Sequence, residues 1–165
     1  GLLLLTNDGD LSNSIQKSVN NHEKEYRVRV NKPITDEFLT QMAAGVPILD
    51  TVTKKCRLYK IDNYSFKIII TQGLNRQIRR MCEYFGYKVV NLKRLRVINI
   101  RLGNLRPGEY RHLTKEEETE LRRLVERKEE VKTKREEAQP DNKNEQNVVG
   151  NKRYVSWKRE TESKN

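Results

Sequence analysis

The chain has 165 residues, of which 35% are hydrophobic and 35% are charged, so the sequence predicts one folded domain with a polar appendage. Its formal net charge of +11 indicates an anionic partner, with nucleic acid as the first candidate. Two cysteines and two widely separated histidines exclude a disulfide framework and predict no metal site. Because the sequence contains no signal peptide and no apolar run of about twenty residues, we expect a soluble, cytoplasmic protein that does not enter a membrane.

The first third of the chain predicts strands and helices in alternation. The fully apolar start, GLLLLT, is typical of a buried strand, and Asp10 is expected to cap a helix that runs to about Val19. Apolar and charged residues alternate in KEYRVRV, residues 24–30, which predicts a half-buried strand. Thr35 then precedes a run with helical periodicity, and we expect it to be the N-cap of that helix.

The middle of the chain predicts a hairpin followed by a basic helix. Residues 51–61 and 64–71 are rich in β-branched and aromatic residues, and the short polar connection between them favours a β-hairpin. A helix is expected to begin after Gly73 and to end near Phe85, followed by one or two strands within 87–102.

The last third predicts one helix and then a polar tail. Thr114 and Glu117 have the spacing of a capping box at the start of a helix. Residues 132–165 have almost no apolar residues, so we expect them to be disordered or loosely attached, and we place the domain at 1–131. Strands outnumber helices, which predicts an α+β fold with a mostly antiparallel sheet.

The positive charge is concentrated in one region. Residues 73–113 contain ten Lys or Arg residues and only two Glu, a balance of +8, whereas an ordinary solvated surface would spread the charge. We therefore expect residues 73–111 to face RNA, with Lys93 and Arg94 as two of the contacts.

Two residues, Arg79 and Tyr26, are predicted to lie near the edge of the core. Arg79 follows Ile78 on an apolar helical face, where an arginine usually pairs with a carboxylate or a phosphate. Tyr26 lies on the apolar face of its strand, where an ordinary core tyrosine remains the simpler interpretation. Arg76 and Arg80 fit either a solvated helix face or a phosphate grip. The residues alone name no reaction, because they contain no P-loop, dinucleotide fingerprint or catalytic triad.

Five segments together resemble the RsuA-type pseudouridine synthases: GLLLLTNDGDL, HEKEYRVRV, GVPILDTVTKKC, QGLNRQIRRMCEYFGYKVVNLKR and LRPGEYRHLT. The resemblance covers roughly residues 1–128 and implies an eight-stranded, mostly antiparallel sheet with flanking helices. It also implies an enzyme without a cofactor that converts a uridine of ribosomal RNA to pseudouridine, with large-subunit RNA as the first candidate substrate. In that reaction the uridine of an RNA stem-loop is flipped out, its C1′–N1 bond is broken, and the uracil is rejoined through C5.

The resemblance also implies roles for individual residues. Arg79 matches the arginine that pairs with the nucleophilic aspartate, and Tyr26 matches the tyrosine that stacks on the uracil and removes a proton. Ile78 matches the apolar residue packed against the flipped base. Arg76, Arg80, Lys93 and Arg94 are then expected to bind the RNA substrate.

One part of the family pattern is absent from the 165 residues. The nucleophilic aspartate belongs to an Arg-Leu-Asp motif just before the segment that matches GLLLLT, and Asp8 and Asp10 do not replace it. The N-terminal S4 domain of the family is also absent, so we expect a catalytic-domain fragment that is inactive by itself. The alternatives are an inactive RNA-binding module of the same fold, the same chemistry on small-subunit RNA or transfer RNA, and a general basic domain that binds ribosomes or DNA.

Overall fold

The computed structural model describes residues 1–17 and 21–137, with side-chain surroundings to residue 126. The helices and strands follow one another along the chain in this order: α1 (Gly9–Gln16), β1 (Lys24–Val30), α2 (Asp36–Ala44), β2 (Pro47–Ile48), β3 (Thr51–Val52), β4 (Arg57–Lys60), β5 (Ser65–Ile70), α3 (Gln77–Tyr84), β6 (Val89–Val97), β7 (Ile100–Arg101) and α4 (Lys115–Glu137).

Five strands form one sheet in the order β4-β5-β1-β6-β7, and β2 pairs with β3 in a separate hairpin. Each of the strand pairs in the described residues is antiparallel. The α+β class and the β4–β5 hairpin are therefore confirmed. The resemblance implied eight strands, whereas the described residues form seven in two sheets. β2 and β3 are only two residues long and pair with each other rather than with the main sheet.

The expectation of a buried strand in the first six residues is wrong. Leu2 is 7% exposed, but Leu3 and Leu5 are 68% and 83% exposed, and the segment is not a strand. Within residues 1–6, only the Leu2 amide donates to another backbone group, the Arg94 carbonyl, at 2.8 Å. A run of leucines is apolar whether or not a neighbouring strand satisfies its backbone, so composition alone did not decide the structure.

The start that the sequence predicts is confirmed for two of the four helices. Thr35 caps α2, and Thr114 and Glu117 form the expected capping box at α4, with each amide donating to the other side chain at 3.0–3.1 Å. At α1, however, the cap is Asp8, which accepts from the Leu11 amide, and not Asp10. α1 ends at Gln16, and residues 18–20 lie outside the described residues.

The start of α3 lies later in the chain than the sequence indicated. Arg76 adopts a left-handed conformation (φ 49°, ψ 31°), so the helix begins at Gln77. The buried Gln77 side chain accepts from the Leu74 amide at 3.1 Å and so closes the preceding turn. The segment 72–76 is therefore a loop that presents Arg76 at its end.

Two apolar clusters stabilise the sheet. The larger contains Phe38 and Met42 of α2, Ile78 of α3, and the inward residues Phe66 and Ile68 of β5. The second joins β7 to α4, where Leu121 and Val125 pack on Ile100. α4 continues past residue 131, the boundary expected from the sequence, to Glu137. The remainder of the expected tail, 138–165, lies outside the described residues.

Candidate active site

Tyr26 lies near the middle of the core-facing side of the sheet. It is directly opposite Ile68 on β5 and Arg94 on β6, and it packs, half-buried, against the larger apolar cluster. Residues directly opposite each other on antiparallel strands share a face. Tyr26 therefore has an apolar neighbour on one side and a cationic neighbour on the other.

Arg94 connects this position to the first residues of the chain. The Arg94 carbonyl accepts from the Leu2 amide, and the Arg94 Nε donates to the Leu2 carbonyl, both at 2.8 Å. A Cβ at position 1 would lie 2.5 Å from the Arg94 backbone nitrogen, so this close approach requires Gly1. The backbone of Gly1 and Leu2 is thus held beside the residue that pairs with Tyr26.

Ile78 and Arg79 occupy the first turn of α3. Ile78 is 4% exposed in the larger cluster, as expected for a residue on the apolar helix face. Arg79 is half-buried, and its Nη1 donates to the Val89 carbonyl at 3.2 Å. Val89 pairs with Val30, four residues from Tyr26, which is about 13 Å along β1. In this arrangement the guanidinium contacts the Val89 end of β6 rather than Tyr26.

Arg76 and Arg80 have different surroundings. Arg76 is exposed at the start of α3. Arg80 is half-buried, and its guanidinium donates to the carbonyl and side-chain oxygens of Asn75 at 3.1 and 3.3 Å. Arg80 therefore stabilises the loop before α3, whereas the Arg76 side chain is exposed to solvent.

Lys93 and Arg94 lie on opposite faces of β6. Lys93 pairs with Arg27, whereas Arg94 pairs with Tyr26, and consecutive strand residues point to opposite sides of a sheet. Residues 73–111, which we expect to face RNA, are therefore divided between the two faces of the sheet, and their contact with RNA stays a prediction. Net charge along the sequence does not show which face of a strand each charge occupies.

Asp8, near the start of the chain, and Glu25, on β1, already have partners. Asp8 caps α1 and forms an ion pair with Arg122 at 3.0 Å, and the Leu11 amide, followed by Arg122, lowers its pKa. Glu25 is 8% exposed and pairs with Arg96 at 3.2 Å. Among the described residues, no carboxylate forms an ion pair with Arg79.

Nucleophilic cysteine chemistry is disfavoured at both thiols. Burial raises the pKa of Cys56 to about 11 and that of Cys82 to about 12, so both are neutral thiols near neutral pH. Within residues 1–17 and 21–137, no three His, Cys, Asp or Glu residues are grouped as metal ligands. No helix of the described chain is both long and apolar enough to span a bilayer.

Sequence reasoning missed two features of this region. The first is the anchoring of Leu2 by Arg94, which depends on a contact across 92 positions of sequence. The second is the cluster in which Arg96 contacts both Glu23 and Glu25. Glu25 is directly opposite Arg96 and Glu23 lies just before β1, so the sequence indicates this cluster only once the pairing of β1 with β6 is known.

The half-buried Tyr26 and Arg94 thus lie on one face of an antiparallel sheet, and Arg76 is exposed at the start of α3. Residues 1–84 match the RNA pseudouridylate synthase family, and the chain belongs to that family. A dual-specificity RNA pseudouridine synthase RluF of Salmonella typhi is 57% identical over 126 residues, covering 76% of this chain and 44% of that protein. The protein of the same name from Escherichia coli O6:H1 is 52% identical over 155 residues, covering 94% of this chain and 51% of that protein.

A solved structure shows the same similarity. A crystal structure of a pseudouridylate synthase superposes with a TM-score of 0.66 at 31% identity, covering 72% of this chain and 52% of that one. The chain thus spans about half the length of the curated relatives and of the solved structure.

Proposed function

We propose that this chain is part of an enzyme that isomerises a specific uridine of ribosomal RNA to pseudouridine. RNA of the large subunit is the first candidate substrate. The bond from C1′ to N1 of the uracil breaks, the base turns within the site, and a new bond forms from C1′ to C5. The C5 proton is removed at the end and N1 gains a proton, so the product is an isomer of the substrate and atoms balance without a cofactor. The RNA stem-loop with the target uridine is the partner, and the cytoplasm is the location. The domain comprises 1–131, and α4 extends from it into the polar segment 132–165.

One observation carries this proposal. The backbone of Gly1 and Leu2 is fixed beside Arg94, which pairs directly with Tyr26. A residue attached to Gly1 has its Cα about 3.8 Å from that of Gly1. In the family, the segment that matches this start follows the Arg-Leu-Asp motif. Such an aspartate in a longer chain would therefore lie beside the tyrosine that contacts the base.

The side chains divide the chemistry among them. Tyr26 stacks on the flipped uracil and accepts the C5 proton, and Ile78 packs against the base. Arg79 keeps the nucleophilic aspartate ionised and oriented. Since only one of its five N–H donors is used in the contact with Val89, the guanidinium retains donors for a carboxylate. This pairing requires the Arg79 side chain to rotate away from the Val89 carbonyl.

Of the remaining basic residues, Arg76 and Lys93 contact RNA in this proposal, and Arg80 and Arg94 support the site. Arg76 is exposed and contacts phosphate at the start of α3. Arg94 acts mainly by anchoring Leu2, and Arg80 by holding the loop at Asn75, so that both support the site from within. Lys93 contacts RNA from the other face of the sheet.

The test is a conversion assay with a longer protein that includes the Arg-Leu-Asp motif. Pseudouridine in a large-subunit RNA fragment is quantified after single turnover, and binding to the same RNA is measured separately. We expect the longer protein to convert one uridine, and its variant with asparagine in place of the motif aspartate to bind RNA without converting it.

The alternative functions give different results in the same assay. Tight binding without conversion by the longer protein would identify an inactive RNA-binding module. Conversion only in small-subunit RNA or transfer RNA would keep the chemistry and change the substrate. The "dual-specificity" in the name of the relatives is a reason to include these RNAs in the assay.

A further inference from the structure

A row of cations crosses the outer face of the main sheet, opposite to the face of Tyr26. Lys67 of β5, Arg27 of β1 and Lys93 of β6 are directly opposite one another, and Tyr59 of β4 continues the row. Adjacent strands lie about 4.8 Å apart, so the three cations span roughly 10 Å. We call these four residues the outer row. Arg29 lies two residues further along β1 on the same face.

The outer row costs stability in the free protein. Like charges directly opposite each other on neighbouring strands repel. Among the described residues, Arg27 and Lys93 are exposed and form no ion pair, and only Lys67 is near a carboxylate, Glu25 at 3.9 Å. A negatively charged partner would remove this repulsion.

Two exposed tyrosines border the cations. Tyr59 is 47% exposed, and the Lys67 ammonium lies 4.9 Å from the centre of its ring. Tyr64 is 39% exposed, and the Arg29 guanidinium lies 5.7 Å from its ring centre. Each ring thus holds a long cationic side chain over the sheet by a cation–π contact. The cations are therefore partly ordered before a ligand binds, which lowers the entropy cost of binding.

Charge decides between the possible occupants of this face. Residues 138–165 contain six Lys or Arg and four Asp or Glu, and a second copy of the chain has a net charge of +11. Both would add positive charge to a positive surface. A polyanion with closely spaced phosphates has the opposite charge and gains by releasing counterions.

We propose that the outer row and Arg29 bind the phosphate backbone of the RNA substrate, outside the loop that holds the target uridine. This inference rests on the proposed function for the identity of the RNA. Lys93 is then a contact for RNA on one face of the sheet, while Tyr26 acts on the base at the other. An RNA that reaches both faces passes over an edge of the sheet.

The test uses the longer protein and compares two double variants of equal charge. R27Q/K93Q neutralises the outer row, and K55Q/K115Q neutralises two exposed lysines elsewhere. The affinity for the RNA fragment is measured at several salt concentrations, and the single-turnover rate is measured at saturating protein. Thermal midpoints show that both variants are folded.

We expect R27Q/K93Q to reduce the slope of log affinity against log salt by about 1.4 to 1.8, which corresponds to two phosphate contacts. Between 50 and 200 mM salt, the affinity of the unaltered protein should therefore decrease by a factor about ten times larger than the factor for R27Q/K93Q. K55Q/K115Q should keep the original slope. Lysine acetylation should show Lys67 and Lys93 protected by RNA and Lys55 not.

Other results would overturn the inference. Equal slopes for the two double variants would show that the outer row does not contact phosphate. If Lys93 resists acetylation in the RNA-free longer protein, or R27Q/K93Q lowers the thermal midpoint by several degrees, the face is covered by protein instead. If the unaltered protein binds RNA but does not convert it, the proposed function fails, and the salt slopes still decide whether the outer row binds RNA.

Discussion

Arg79 is the residue whose proposed role differs most from its contact in the structure. Its Nη1 donates to the Val89 carbonyl at 3.2 Å, whereas the proposed function requires it to pair with a carboxylate. The sequence showed that an arginine lies beside Ile78 at the edge of the core, but the direction of a long side chain depends on the groups around it. The partner of Arg79 therefore has to be identified by substitution.

We expect Arg79→Ala, in a longer protein with the motif aspartate, to lower the single-turnover rate by orders of magnitude. Without its counter-charge, the carboxylate would be protonated more readily and lose its orientation. The free energy of unfolding should fall by only about 1–3 kcal/mol, the usual range for one substitution. Arg79→Lys should restore little activity because an ammonium lacks the planar fork of donors.

Arg80→Ala is the matched control for Arg79, since Arg80 is the next residue and its guanidinium contacts Asn75. It should alter RNA binding more than the rate at saturation. Normal turnover of Arg79→Ala would contradict its pairing with the aspartate, and a loss explained entirely by weaker binding would make Arg79 a phosphate contact.

At the scale of the elements, local patterns predicted those structures that local interactions determine. Alternation located β1, and the spacing of Thr114 and Glu117 located the start of α4. The start of α3 was placed too early because the left-handed conformation of Arg76 has no signal in a helical pattern. The leucines at 2–5 looked like a strand because periodicity cannot show whether a partner strand is available.

The capping box of α4 contains an ion pair that should make its stability depend on pH. The Nη1 and Nη2 atoms of Arg111 donate to the two oxygens of the Glu117 carboxylate, at 2.7 and 2.8 Å. Arg111, followed by the Thr114 amide, lowers the pKa of Glu117 from 4.5 to about 2. Since the pKa is lower in the folded state, the stabilisation is complete above about pH 4.5 and is lost as the pH falls towards 2.

We expect Glu117→Gln to lower the thermal midpoint at neutral pH, because glutamine keeps an acceptor for the Thr114 amide but loses the charge. The difference from the unaltered protein should shrink as the pH falls from 4.5 towards 2. Thr114→Ala is the comparison, since it removes the hydroxyl cap, worth about 1 kcal/mol, and leaves the Arg111–Glu117 ion pair in place. A midpoint difference for Glu117→Gln that stays constant with pH would show that the ion pair contributes nothing to stability.

At the scale of the whole molecule, the sequence predicted the α+β class but not the arrangement of its charges. The hairpin of β4 and β5 follows from chain order, whereas the placement of β1 between β5 and β6 brings distant residues together. That pairing puts Arg94 beside Tyr26 and Lys93 beside Arg27. The candidate residues were thus visible in the sequence, but their division between two faces required the register of the sheet.

The boundary of the folded domain can be tested by truncation. The described side chains that pack α4 against the second cluster end at Val125, and the helix continues to Glu137. We expect a chain that ends at residue 137 to have the same thermal midpoint as the full chain, because 138–165 has few apolar residues to bury. A second chain that ends at Val131 tests whether the last turns of α4 contribute. A drop of several degrees for the first truncation would show that the tail packs on the domain.

The central claim is that the two faces of the sheet have different functions, with chemistry at Tyr26 and RNA binding at Arg27. Because these residues are adjacent on β1 and point to opposite sides, one measurement separates them. It is the single-turnover rate of pseudouridine formation by the longer protein, followed against protein concentration for Tyr26→Phe and Arg27→Gln. We expect Tyr26→Phe to lower the rate at saturation by roughly 10²–10⁴-fold with little change in the half-saturating concentration. Arg27→Gln should raise the half-saturating concentration and leave the rate at saturation unchanged. A normal saturating rate for Tyr26→Phe, or the same pattern for both variants, would contradict the account.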